Sequence, residues 1–178
     1  MFASQAGLAR FQNLLQSEFV LEDTKHEFMR EAIRLSREKM QAGFGGPFGA
    51  VVVRHNQIIA RGFNNVLSSN DPTAHAEVDA IRKACAVLQT YQLTDCELYT
   101  SCEPCPMCLG AIYWARFRQV YYGNTKQDAA AVGFDDSFIY EQIEKPLPAR
   151  AIPMEQLLPE EAIIAFQEWR RNPNKSVY

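Results

Sequence analysis

Glu97-Leu98-Tyr99-Thr100-Ser101-Cys102-Glu103-Pro104-Cys105-Pro106-Met107-Cys108 joins a strand to a helix through a pair of cysteines. Glu97 to Ser101 reads as a strand leading directly into that pair. Pro104 and Pro106 flank Cys105 as expected where a loop turns into the first turn of a helix. Leu109 to Ala115 is apolar nearly all round, which predicts a buried helix, and Gln119 to Gly123 reads as the next strand. Upstream, Ala50 to Arg54 and Ile58 to Gly62 form a predicted hairpin turning at His55-Asn56. His75 opens a helix with Val78, Ile81, Cys85 and Leu88 on one face. A hairpin followed by strand–helix alternation predicts an α/β fold, with helices covering both faces of a mixed sheet.

The same junction carries the chemistry. His75, Cys105 and Cys108 are three good zinc ligands, and Glu77 adds a carboxylate that need not bind the metal. A structural zinc takes four protein ligands, whereas a catalytic zinc keeps one position for water and lowers its pKa to about 7. A carboxylate beside that water can take its proton and hand it to a leaving amine. A helix N-terminus at the cysteines favours both thiolates, because its dipole and free N–H groups stabilise negative charge. Cys102, Cys105 and Cys108 also read as the opening of an iron–sulfur run, but the fourth cysteine would fall at 112, where the chain has Ile112. Cys102 therefore reads as a strand-end residue close to the site. A non-catalytic zinc or iron–sulfur binding module is the alternative from a different class, and it leaves Glu77 without a role.

The 178 residues, 47% hydrophobic, suffice for a full core, and no stretch approaches a transmembrane helix in length. The N-terminus lacks the basic start and long apolar run of a signal peptide. Five cysteines, three of them at metal-ligand spacing, suit a reducing compartment, so a cytoplasmic location is expected. Cys85 and Cys96 read as packing residues. A net charge of −3 with scattered Lys and Arg offers no basic footprint for nucleic acid, which favours a small substrate and no membrane partner. Residues 1–23 read as an N-terminal extension in which Leu8, Phe11, Leu15 and Phe19 share one helical face. Residues 24–178 read as a single domain, opened by a capping box at Thr24 and Glu27 on a helix reaching Ala42. Gly43 to Gly49 breaks that helix, Ala149 to Met154 reads as a weaker strand, and Pro159 to Arg171 as a final helix. The glycine loop lacks the Gly-Lys-Ser/Thr of a phosphate loop, and Phe48 reads equally as a stacking wall or a core aromatic.

The H-x-E and P-C-x-x-C pattern is the zinc deaminase signature. Longer runs sharpen it: Gly45-Gly46-Pro47-Phe48-Gly49-Ala50, Ser69-Asn70-Asp71-Pro72-Thr73-Ala74-His75-Ala76-Glu77, Thr100 through Arg116, and Gly133-Phe134-Asp135-Asp136-Ser137-Phe138-Ile139-Tyr140. From about residue 25 onward the chain resembles the bacterial guanine deaminases, a branch of the cytidine deaminase superfamily. The resemblance implies a three-layer α/β/α fold with a five-stranded mixed sheet and one zinc per subunit. It further implies a homodimer in which the C-terminal segment, about 157–178, crosses to close the neighbour's site. Under it, Asn64 hydrogen-bonds the base, Phe48 walls the pocket, Trp114 lines it, and Asp136 and Tyr178 arrive with the swapped segment. Trp114 on an apolar helix also fits a core role, and either Asp135 or Asp136 fits the substrate contact. The implied reaction is hydrolytic deamination of guanine to xanthine and ammonia, with Glu77 carrying the proton. The rivals are a tRNA adenosine deaminase, which needs a basic surface for its RNA, and a deaminase of another nucleobase or an aminotriazine.

Overall fold

The computed structural model describes residues 5–177, with side chains from Asp23 onward. It comprises two compact units, Met1–Asp136 and Ser137–Tyr178. The first unit holds α1 (Gln5–Gln41), β1 (Gly49–Arg54), β2 (Gln57–Phe63), α2 (Val66–Ser69), α3 (Ala76–Leu88), β3 (Cys96–Cys102), α4 (Pro106–Ala115), β4 (Gln119–Asn124) and α5 (Lys126–Ala131). The second holds α6 (Ser137–Glu144), a short 3-10 turn at Leu147–Ala149 and α7 (Pro159–Arg171).

The sheet runs β2-β1-β3-β4. β1 pairs antiparallel with β2 and β3, and β3 pairs parallel with β4, so the sheet is mixed as expected. The hairpin turns where predicted: His55 and Asn56 both take positive φ, as a two-residue turn matched to the strand twist requires. Alternation along the strands divides the core in two. Val51, Val53 and Tyr99 pack under Phe28 and Leu35 of α1. Ala50, Val52, Cys96 and Leu98 pack against Ala76, Ala80 and Ala84 of α3 and Ile112 and Ala115 of α4. The α/β/α layering follows from that division.

Three expectations need correction. The sheet has four strands among the described residues, not five. The stretch expected as a weaker strand, Ala149 to Met154, is a 3-10 turn followed by irregular chain. Pro146, Pro148 and Pro153 lack the N–H that a ladder needs, and local bonds replace it: Arg150 donates to the Lys145 and Ile143 carbonyls, and the Ala151 amide to Gln142. Nor does a helix begin at Thr24, because α1 is already under way there and runs unbroken from Gln5 to Gln41. The boundary expected at residue 23 therefore falls inside a helix, and the side chains of Leu8, Phe11, Leu15 and Phe19 lie outside the described residues.

One close approach sets the position of the functional residues. A Cβ on Gly62 would stand 2.1 Å from the Ala76 carbonyl oxygen and 2.5 Å from the Ala80 amide, so α3 lies directly on β2. Both obstructing atoms are backbone and cannot swing aside. Gly62→Ala is expected to push the first turn of α3 off the sheet and destabilise the fold by about 1–3 kcal/mol, the usual overpacking range. The same variant should bind metal more weakly, because His75 and Glu77 flank the displaced Ala76. Thermal unfolding and metal titration check both, and unchanged values would show that the sheet yields instead of the helix.

Candidate metal centre and active site

Two helix starts meet beside β3. Cys105 precedes α4 with extended backbone (φ −64°, ψ 168°) and Pro106 occupies the first turn, where its missing N–H is harmless. One turn on, Cys108 projects from the buried face shared with Ile112 and Ala115. His75 precedes α3 in the same extended geometry. The loop ahead of it is tied down locally. Asp71 accepts from both the amide and the hydroxyl of Thr73, and the His75 amide donates to the Thr73 carbonyl at 2.8 Å.

Nδ1 of His75 lies 3.5 Å from Sγ of Cys105 and 3.5 Å from Sγ of Cys108. All three ligand atoms fall within 4.8 Å of one another. Zinc bonds of 2.3 Å to sulfur and 2.0–2.1 Å to nitrogen, at tetrahedral angles, imply N···S edges of about 3.6 Å. The residues therefore fit a tetrahedral ion with one position left open. Cys102 stays out of the set, its thiol directed to the Thr125 carbonyl at 3.6 Å.

Burial and proximity separate the two thiols. The Cys108 thiol, with His75 in support, holds the Cys105 thiol down at about 4, against the opposing effect of burial. Cys108 is driven upward by that same neighbour and by burial. The bond to Cys105 raises His75 above its ordinary value. Glu77 is 4% exposed, and burial raises its carboxyl. Its Oε1 accepts from the Thr100 hydroxyl at 3.0 Å and its Oε2 from the Cys108 thiol at 3.4 Å. The arrangement is three soft and borderline ligands beside a carboxyl group able to take and give a proton.

The remaining expected residues divide. Asn64 is buried, and its Oδ1 accepts from the amides of Gly46 at 3.2 Å and Val66 at 3.3 Å. A Cβ at Gly45 would meet that oxygen at 2.1 Å, which is why this loop position carries glycine. Phe48 packs against the core layer shared with α3 and meets Phe134 edge to face at 5.0 Å. Asp136 is half-buried, and burial first, then the charge of Cys105, raises its carboxyl above the usual range; Asp135 is more exposed. Asp136 is the last residue of the first unit. Trp114 is 70% exposed and lies off the buried face of α4. Tyr178 lies outside the described residues. Sequence reading missed Thr100 and Phe134 as members of this neighbourhood. Thr100 looks like any strand residue, and only the run Gly133-Phe134-Asp135-Asp136 hinted at Phe134.

Comparison with known proteins agrees with this geometry. Residues 22–124 match the family described as the cytidine and deoxycytidylate deaminase zinc-binding region. A guanine deaminase of Bacillus subtilis (strain 168) is 60% identical over 154 residues, covering 86% of this chain and 99% of that one. The X-ray structure of guanine deaminase from Bacillus subtilis superposes with a TM-score of 0.84 at 59% identity, over 86% of this chain and 98% of its own. A tRNA-specific adenosine deaminase of Agrobacterium fabrum is 45% identical over 86 residues, 48% of this chain and 57% of its own. Both the donor set and the match over more than half the sequence lead to one assignment: the chain belongs to the cytidine and deoxycytidylate deaminase zinc-binding family.

Proposed function

We propose that this protein is a zinc-dependent aminohydrolase that converts guanine and water to xanthine and ammonia. The observation that carries the reading is the buried carboxyl of Glu77 set beside three metal ligands without being one of them. His75, Cys105 and Cys108 would hold the zinc, one ion per subunit. Bound there, zinc supplies a Lewis acid and a water of lowered pKa. Glu77 would take one proton from the attacking water and give it to the ring nitrogen as the C2–O bond forms. It would then take the second from the new C2 hydroxyl and give it to the departing amine as the C2–N bond breaks, leaving the C2 carbonyl of xanthine and ammonia. Phe48 and Phe134 form an aromatic wall suited to a planar base. Because the Asn64 oxygen is taken by two backbone amides, its amide nitrogen remains to donate to the base. Asp136 adds an acceptor from the same chain.

Guanine is favoured over an adenosine in tRNA by the extent of the relationship. The guanine deaminase of Bacillus subtilis matches over 99% of its length, whereas the tRNA-specific enzyme of Agrobacterium fabrum matches over 57%. A homodimer with exchanged C-terminal segments suits the second unit, which buries none of its described residues. Phe166 and Trp169 of α7 remain 74% and 46% exposed, and apolar groups gathered in this way mark an interaction surface. In the assembled enzyme the partner's tail, Trp114 and Tyr178 would complete the pocket. No helix among the described residues is long and apolar enough to cross a membrane, and we place the enzyme in the cytoplasm.

Ammonia release across guanine, adenine, cytosine, guanosine and ammeline tests the substrate. Guanine should lead, and a clear preference for another base would overturn the assignment. Glu77→Ala should keep its zinc and lose about 10²–10⁴-fold in turnover, the contribution typical of general acid–base catalysis. Loss of zinc in that variant would make Glu77 a ligand.

Metal analysis of three cysteine variants tests the ligand set. Cys105→Ser and Cys108→Ser are each expected to lose zinc and stability, whereas Cys102→Ser keeps both. A brown, iron-containing wild type would refute the zinc assignment.

Deleting Asn174 to Tyr178 examines the exchanged tail. The truncated protein should remain folded and zinc-loaded, with guanine turnover down by about 10²-fold, a loss that misplaced reacting groups can cause. Full activity in the truncated enzyme would exclude a closing role for the tail.

A further inference from the structure

Thr100 is fully buried on β3, on the sheet face it shares with Cys96 and Leu98 beneath α3 and α4. Valine has the same shape and suits such a position, whereas a buried hydroxyl costs free energy unless it finds a partner. Here the partner is Oε1 of Glu77, at 3.0 Å. The bond joins strand to helix across 23 residues of sequence and reaches the carboxyl group on which the proposed reaction depends. The second oxygen, Oε2, accepts from the thiol of Cys108 at 3.4 Å. As a metal ligand Cys108 is a thiolate and has no proton to donate. The Thr100 hydroxyl still has its own.

We infer that Thr100 is a positioning residue for deamination: its hydroxyl fixes Oε1 of Glu77 and thereby keeps Oε2 turned toward the reacting atoms. The metal ligands place the ion, and Thr100 places the proton carrier relative to it. A carboxylate on the two rotatable bonds beyond its Cβ otherwise samples several orientations within the site. Holding one of them is a direct contribution to reacting geometry. The inference rests on the deaminase reading of this site.

The test compares the zinc-loaded wild type with Thr100→Val and Thr100→Ser for zinc content, thermal midpoint, kcat and KM for guanine, and the crystallographic position of the Glu77 carboxyl. Thr100→Val should keep its zinc and its midpoint and leave KM nearly unchanged. Its kcat should fall about 10- to 100-fold, the scale of one hydrogen bond to a charged group, with the carboxyl displaced or spread over two positions. Thr100→Ser, which keeps the hydroxyl and loses the methyl, should recover most of the activity. Wild-type kcat in Thr100→Val would overturn the inference, as would a serine variant no better than valine. Loss of zinc or of cooperative unfolding in Thr100→Val would also overturn it, by assigning the hydroxyl to the fold. If the wild type loads zinc but releases no ammonia from any base, the deaminase reading fails separately. The carboxyl position in Thr100→Val then decides the positioning role, and an unmoved carboxyl refutes it.

Discussion

Ala76, Ala80 and Ala84 present only methyl groups toward β2, and Gly62 presents none, so α3 rests on the sheet at a separation that larger side chains would forbid. That contact fixes the height of the helix start, and with it His75 and Glu77. On β3, beyond β1, Ser101 accepts from the Gly49 amide at 3.0 Å and ties β3 to the start of β1. The end of β3 then delivers Cys105 and Cys108 to the same place. Each ligand comes from an extended residue or first turn at a helix N-terminus, where backbone N–H groups favour negative charge. The centre is thus a consequence of packing: two helices stand on one side of the sheet, and their N-termini converge.

Charge explains why this convergence suits a cation. Two thiols and a carboxyl group crowd together, with Cys108 and Glu77 buried, and the two cysteines shift one another's proton affinity while burial raises that of Glu77. Several buried negative charges of this kind are unfavourable together unless a positive charge offsets them. A divalent ion held by His75, Cys105 and Cys108 would resolve the conflict by favouring both thiolates, with Glu77 left outside the ligand set to exchange a proton. The residues proposed to face a base are held differently. Asn64 is locked by the amides of Gly46 and Val66, and Phe48 leans on Phe134, so their placement depends on loop geometry instead of helix packing.

The two compact units pose separate physical problems. The first has a core on each side of its sheet. The second has two helices with apolar faces and none of its described residues buried. A segment of this composition gains little by folding alone, since burial of apolar area is the main favourable contribution. The proposed exchange between two copies would supply that burial.

The histidine, cysteine pair and Glu77 that the structure gathers in one place were legible in the sequence because their chemistry is local. A histidine with a carboxylate two residues on, and a cysteine pair spaced by one helical turn, keep their spacing whatever surrounds them. The hairpin turn, the two helix starts and the alternating strands were legible for the same reason: each depends on neighbours a few residues away. Propensity misled where a longer range decided. Ala149 to Met154 has apolar residues enough for a strand, but its prolines and the Arg150 bonds hold it in a turn. Thr24 and Glu27 form a sound start signal, yet the helix before them is already continuous. Thr100 gave no sign of its place, because a hydroxyl on a buried strand acquires a role only when another element brings it a partner. Trp114 stood in the midst of a telling motif, and only the helix rotation left it exposed, off the face that buries Cys108. Residue type and spacing by themselves determined which atoms can bind a metal and move a proton. The tertiary structure decided which atoms face them, since facing is set by strand register, helix rotation and the closeness that Gly62 permits.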